Sequence, residues 1–407
     1  MELFKWQKEA LVALEQHNYN GICECGTGVG KTVLGIEVIK RLPRNVLICV
    51  PTIHLQQQWK DELIKHEAAK LEDIGFVGGG EHDLTKRITI AVVNSLRSIT
   101  LKKDLLVIDE THRALSEENF KFIQNGVYDH IVGLTATLDR QDGREDLILK
   151  LAHVVYSYEQ KDAIEDGILS PYDVVNMNVF LTQEEQGLFE EAKAIVDMYG
   201  PTFDYNIGTA TGALRGPFCK AAAEYLKAVG KRRRILSHAK NKAIAALDVV
   251  ALEMDEATGE LPKTIIFSEY IDTADDIVKM FLEKGIKVAK YHSAMKNEGE
   301  SVLKYKQRMI QEFKDDKFRI MVACKALDEG INVPDVSLGI IVAGTSVDRQ
   351  FIQRLGRILR ARPGKKAKIY QFYIGGTTDE KWMRKRSKSA HDSADTIRYT
   401  SMNHNGA

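Results

Sequence analysis

The sequence is poor in cysteine, balanced in charge and free of long apolar runs, and each shortage removes a class of protein. Five cysteines occur in 407 residues: Cys23, Cys25, Cys49, Cys219 and Cys324. Most lie within apolar stretches, which fits reduced thiols rather than a disulfide framework. Cys23 and Cys25 are separated by one residue and have no second pair with which to complete a structural zinc site. Lysine and arginine number 57, as do aspartate and glutamate. A globally basic nucleic-acid binder is therefore excluded, while local basic patches remain open. No apolar run approaches the ~20 residues that span a bilayer. The opening MELFKWQKEA carries charge where a signal peptide needs an apolar block, so neither a membrane segment nor secretion is expected.

What is present is a chain that is 44% hydrophobic, enough to bury sizeable cores, and long enough for two to three domains at roughly 150 residues each. Its first part alternates buried strands with helices. The stretch LLVIDETH at 105–112 has four apolar residues that read as a strand covered on both faces, followed at once by Asp109 and Glu110. A polar turn would also look like this. Upstream, however, CGTGVGKT follows a short strand and opens a helix, so Gly26, Thr27, Gly28, Val29 and Gly30 form a loop whose backbone N–H groups can cradle phosphates. Lys31 would reach the β and γ phosphates and Thr32 would ligate Mg²⁺, with Asp109 as the carboxylate ligand and Glu110 left to polarise water. One position departs from the strict pattern: Cys25 stands where the first glycine belongs. Further strands end in Thr52, in Asn94 and in the TAT of 135–137. Regular alternation of this kind implies a parallel sheet with its polar tips on one edge.

Residues 181–260 read as helices at 183–198, 218–229 and 235–253, interrupted by a long glycine- and threonine-rich loop. The run Lys231, Arg232, Arg233, Arg234 is either a solvated face or a phosphate contact. From 263 a second strand and helix alternation begins, without a glycine-rich loop. It is followed by QRLGRILR, whose Arg357 and Arg360 matter because the first site has no cation of its own beyond Lys31. Near the end, Lys381, Arg384, Lys385, Arg386 and Lys388 crowd one helical stretch. These are open to the same two readings.

In this order the motifs resemble those of superfamily 2 helicases of the DEAD/DEAH type, closest to the XPB-type and phage UvsW-type branch. They are LFKWQKEAL, GTGVGKT, VPTIHLQQQW, TIAVVNSL, DETH, TAT, IIFSEY, VACKALDEGINVP and QRLGRILR. The resemblance implies an α/β fold of two RecA-like lobes, each a mostly parallel sheet covered by helices, with a helical insert between them. The expected spans are 1–177 for lobe one, 178–262 for the insert, 263–376 for lobe two and 377–407 for a basic tail. ATP and Mg²⁺ are the implied cofactors. The implied partner is nucleic acid, DNA ahead of RNA, bound by a monomer in the cytoplasm of a prokaryotic or phage-infected cell.

Residue by residue, the resemblance implies that Gln7 reads adenine, since its amide can accept from N6 and donate to N7. His112, Thr135 and Thr137 would couple nucleotide to strand binding. Gln353, Arg357 and Arg360 would complete the catalytic set, and Gly330 would lie at the nucleotide. Thr52, Asn94, Ser268, Ser293 and Cys324 would contact the nucleic-acid backbone, or, for the hydroxyl and amide residues, merely cap strand ends. Cys324 and Asn332 depart from the threonine and aspartate common in the family. The expected activity is an ATP-dependent DNA helicase or translocase with 3′-to-5′ motion. The alternatives are an RNA helicase, a duplex translocase that separates no strands, or a binding module without hydrolysis.

Overall fold

The computed structural model describes residues 2–42, 44–97, 99–138, 142–292, 302–324, 336–343, 366–391 and 393–402. Among these the chain forms two compact units, everything up to Ser170 and everything from Pro171 onward.

Unit one holds eight strands: β1 Gly21–Cys25, β2 Val46–Val50, β3 Ile74–Gly78, β4 Glu81–His82, β5 Ile88–Val92, β6 Lys102–Asp109, β7 Val127–Thr135 and β8 Val154–Tyr158. They lie in the order β4-β3-β5-β2-β6-β7-β1-β8. Every neighbouring pair is parallel except the short β3–β4 hairpin. The inner strands β2 (VLICV) and β5 (ITIAV) are almost wholly apolar and buried at every position, because helices cover both faces and no position can face water. Those helices are α1 Lys5–Gln16, α2 Lys31–Arg41, α3 Ile53–Lys65, α4 Glu117–Asn125, α5 Glu145–Leu149 and α6 Gln160–Glu165. Parallel pairing has one consequence for function. The residues that follow β1, β2, β5, β6 and β7 all emerge at the same edge.

Unit two is a seven-stranded parallel sheet in the order β11-β12-β10-β13-β14-β9-β15. Its strands are β9 Tyr172–Val179, β10 Thr264–Ser268, β11 Val288–Tyr291, β12 Ile320–Cys324, β13 Leu338–Ile341, β14 Ala367–Tyr373 and β15 Thr396–Met402. Its helices are α7 Gln183–Tyr199, α8 Ile207–Ala213, α9 Cys219–His238, α10 Lys240–Leu252, α11 Ile271–Glu283, α12 Val302–Lys314 and the C-terminal helix Thr378–Ala390.

Four sequence expectations change here. The expected boundary at 177 would cut β9, which pairs with β14 and β15 along its length and so belongs wholly to unit two. The expected insert is only partly an insert. Ala243, Ala246, Val249 and Val250 of α10 join Ile266, Ile340 and Phe372 in the core of unit two, whereas α7 to α9 close a small core of their own around Val196, Phe203 and Tyr225. The expected long loop contains α8, started by Asn206, whose Oδ1 accepts from the N–H groups of Gly208 and Thr209. The expected basic tail is folded: Arg386 is buried with its Nε donating 3.0 Å to Gln371 Oε1, and β15 extends the sheet. An arginine spent inside the protein cannot serve as a nucleic-acid contact.

Candidate active site

The loop after β1 bends through left-handed glycines, with φ +84° at Gly28 and +102° at Gly30. A side chain would be strained at either, which is why the pattern demands glycine there. Cys25 needs no such freedom. It ends β1 in extended backbone, its side chain is buried, and burial pushes its thiol up to about 12. It therefore acts as a small apolar residue, and the departure from the strict motif costs the loop nothing. Lys31 opens α2 and is nearly buried, its ammonium donating to the carbonyls of Cys25 at 3.0 Å and Gly26 at 3.2 Å. Thr32 follows it, partly exposed at the first turn. Gln7 of α1 donates 3.1 Å to the carbonyl of Gly30 and accepts 3.0 Å from the N–H of Phe4. A primary amide has two donors and two lone pairs, so one of each remains for a base.

Asp109 ends β6 in a buried position, its Oδ2 accepting 2.8 Å from the indole N–H of Trp59 and its Oδ1 accepting 3.0 Å from the N–H of Glu110. Desolvation, followed by the neighbouring Glu110 carboxylate, raises its pKa to about 6 against the pull of Trp59 and Lys31. Glu110 takes φ +50° and ψ +55°, a left-handed backbone that costs a β-carbon residue on the order of 1 kcal/mol. Its Oε2 is buried and accepts no hydrogen bond among the described residues. It lies 3.5 Å from Nδ1 of the buried His112.

The three residues expected to couple the site do meet. Thr135 Oγ1 donates 2.8 Å to the carbonyl of Thr137, so its 3.2 Å contact with His112 makes the ring Nδ1 the donor. Glu24 of β1 steadies the same segment by accepting 2.9 Å from the N–H of Leu138.

The residues expected to grip nucleic acid fare unequally. Thr52 caps α3, accepting 3.3 Å from the N–H of Leu55, and remains partly exposed. Asn94 is exposed and accepts 3.1 Å from Arg97. Ser268 is fully buried, its hydroxyl donating to the carbonyl of Tyr270, and Cys324 is buried beside it at the end of β12. Neither is offered at a surface. Ser293, Gly330, Gln353, Arg357 and Arg360 lie outside the described residues. The arginine-rich run of α9 is engaged within unit two. Lys231 meets Glu191 at 3.3 Å, Arg233 meets Glu269, Arg234 meets Asp272 at 2.8 Å and Arg232 lies over Phe189.

Two features escaped the sequence reading. Trp59 closes the stretch VPTIHLQQQW, but nothing in that stretch showed that it holds Asp109. Gly78, Gly79 and Gly80 are all left-handed, and a β-carbon on Gly79 would press 3.1 Å from Ile53 while one on Gly78 would sit 3.2 Å from Ser95. A run of three glycines after a strand was the available signal for this close approach beside Thr52 and Asn94.

Residues 1–140 match the family described as type III restriction enzyme, res subunit, and residues 242–362 match the helicase conserved C-terminal domain. The chain is 31% identical over 398 residues to the DNA 3′-5′ translocase XPB2 of Sulfurisphaera tokodaii, covering 95% of this chain and 84% of that protein. It is 24% identical to the DNA 3′-5′ helicase XPB of Kineococcus radiotolerans over 91% of this chain, but spans 59% of that protein's length. The Pyrococcus furiosus Hef helicase domain aligns with a TM-score of 0.57 at 15% identity, covering 93% of this chain and 97% of that one. At that identity the likeness speaks for the fold alone.

Proposed function

Because this chain belongs to the XPB-type superfamily 2 helicases, we propose that it is an ATP-dependent DNA helicase or translocase moving 3′ to 5′, with its hydrolytic carboxylates in unit one. The observation that carries the reading is Asp109, a buried carboxylate with no cation bonded to it among the described residues, beside a phosphate-cradling loop whose Lys31 is close enough to pull on its charge. Burying a carboxylate without a counter-charge is costly unless something cationic arrives. Hard oxygen donors at Thr32 and Asp109, with the loop of α2 between β1 and Lys31, fit magnesium bound to a nucleoside triphosphate. Such a ligand would supply the missing charge.

The chain's own groups then have distinct tasks. Lys31 exchanges its two carbonyl acceptors for phosphate oxygens, and the backbone N–H groups of 26–32 hold the rest. Gln7 presents its remaining donor and acceptor to adenine. Glu110 orients a water through Oε2 and draws off its proton. His112, Thr135 and Thr137 carry the state of that carboxylate toward the tips bearing Thr52 and Asn94. Arg357 and Arg360 are assigned to the developing charge on the transferred phosphoryl group, with Gln353 beside them. The same reading has the protein act as a monomer in the cytoplasm of a prokaryotic or phage-infected cell. No helix among the described residues is long and apolar enough to cross a membrane.

ATPase rates with single-stranded, duplex and branched DNA and with RNA, measured in parallel, test the proposal. Stimulation of about tenfold or more by DNA is expected. Stimulation by RNA alone would make it an RNA helicase, and none by any nucleic acid would refute the motor reading.

A further inference from the structure

Trp59 sits fully buried on α3, fifty residues before Asp109, and touches both halves of the site. Its indole N–H reaches Asp109 Oδ2 at 2.8 Å. Its ring lies so close to α2 that a β-carbon on Gly35 would fall 2.7 Å from Trp59 Cη2 and 3.0 Å from Leu134. The helix it touches is the one that begins with Lys31 and Thr32. One rigid bicycle thus spans from the phosphate-loop helix to the strand-tip carboxylate.

We infer that Trp59 is a positioning residue that sets the carboxylate of Asp109 for the metal, fixing its plane and its distance from the helix of Thr32. The inference rests on the proposed nucleotide site. Asp109 has two oxygens and about four lone-pair directions. The N–H of Glu110 takes one direction on Oδ1 and the indole takes one on Oδ2, so the carboxylate cannot rotate without breaking a charge-assisted bond. The remaining directions are left aimed by default. A phenylalanine would fill most of the same space against Gly35 but leave Oδ2 without its donor. An indole that merely packs would make its N–H replaceable at no cost to metal binding.

The test is equilibrium binding of ADP to the full chain, with EDTA and with Mg²⁺, for the parent and Trp59→Phe. Parent protein should bind ADP more tightly with Mg²⁺. If it shows no such gain, the proposed site itself fails, whatever Trp59 does. In Trp59→Phe, affinity in EDTA should stay within about twofold while the gain from Mg²⁺ shrinks about tenfold, the scale of one hydrogen bond to a charged group. An unchanged gain in a folded variant overturns the inference. Should Trp59→Phe fail to fold, Gly35→Ala decides the matter, since it keeps the N–H but displaces the ring. It should lose the same Mg²⁺-dependent gain, and an intact gain would again overturn the inference. In a Trp6→Phe, Trp382→Phe background the emission of Trp59 should also shift on adding Mg²⁺ with ADP and not on adding ADP in EDTA. No shift in either condition counts against it.

Discussion

Each unit buries a carboxylate at the tip of a central parallel strand, and the two are treated in opposite ways. In unit two Glu269, just beyond β10, is bonded to Arg233 of α9, whose guanidinium also lies 5.6 Å from the ring of Trp382. Close by, Arg234 and His238 converge on Asp272. In unit one Asp109 receives, among the described residues, two neutral N–H donors and no bonded cation, and its pKa climbs to about 6. The same architecture therefore spends one carboxylate on holding a helix and keeps the other in debt. A carboxylate whose charge is met from within is structural, and one left short of charge marks where a cationic ligand belongs.

The largest effect should come from removing the cations assigned to the deficient site. Arg357→Ala should slow DNA-stimulated hydrolysis by roughly 10³ to 10⁵ while ATP affinity falls far less, as for arginine fingers. Arg360→Ala and the double variant should be assayed beside it at saturating DNA and ATP. Rates within a few-fold of the parent in all three would separate these arginines from the site.

The stability of the two carboxylates should respond with opposite signs. Glu269→Gln should lower unfolding free energy by about 1–2 kcal/mol, between the roughly 0–1 of exposed pairs and the roughly 3–5 of buried ones, because Arg233 is partly exposed. Equal stability by chemical denaturation would show that Arg233 gains nothing from its partner.

Asp109→Asn should instead stabilise the metal-free protein at pH 7.5 by about 1 kcal/mol, the roughly 3 kcal/mol that burial of the charge costs less the hydrogen bond lost where the amide NH2 faces an N–H donor. The sign follows from the raised pKa. Relative to the unfolded chain, Asp109 favours folding while protonated, and that advantage is lost as pH rises through about 6. The gain from Asn should therefore be full at pH 7.5, shrink below about 6 and reverse near 4, where only the lost acceptor remains. Parallel urea melts of parent and variant at pH 4.5, 6 and 7.5 would measure it, and a pH-independent difference would contradict the assignment. For the same reason Mg²⁺-dependent nucleotide binding should weaken as pH falls from 7.5 toward 5.

The deficient site was largely legible in the sequence because its signals are local. Gly28, Gly30, Lys31 and Thr32 are consecutive or nearly so, and Asp109 with Glu110 closes an apolar run. The satisfied site was not legible. Arg233 reads as part of a basic run until the fold brings Glu269, thirty-six residues away, against it. Trp59 was hidden for the same reason, since its partner is fifty residues distant and helical periodicity reports only that it faces inward. Nothing local in Tyr172–Val179 says which sheet will take it as a strand. Arg386 looks solvent-bound by composition, and only the closing of the C-terminal helix against Gln371 buries it.

One pair of variants tests the contrast most directly: Glu110→Gln and Glu269→Gln, each folded at the assay temperature, compared for ATP turnover with saturating DNA and Mg²⁺. The account predicts that Glu110→Gln binds ATP normally but turns over on the order of 10²-fold or more slowly, for want of a group to take the proton of water, while Glu269→Gln stays within a few-fold of the parent. Near-normal turnover in Glu110→Gln, or an equal loss in both, would contradict it.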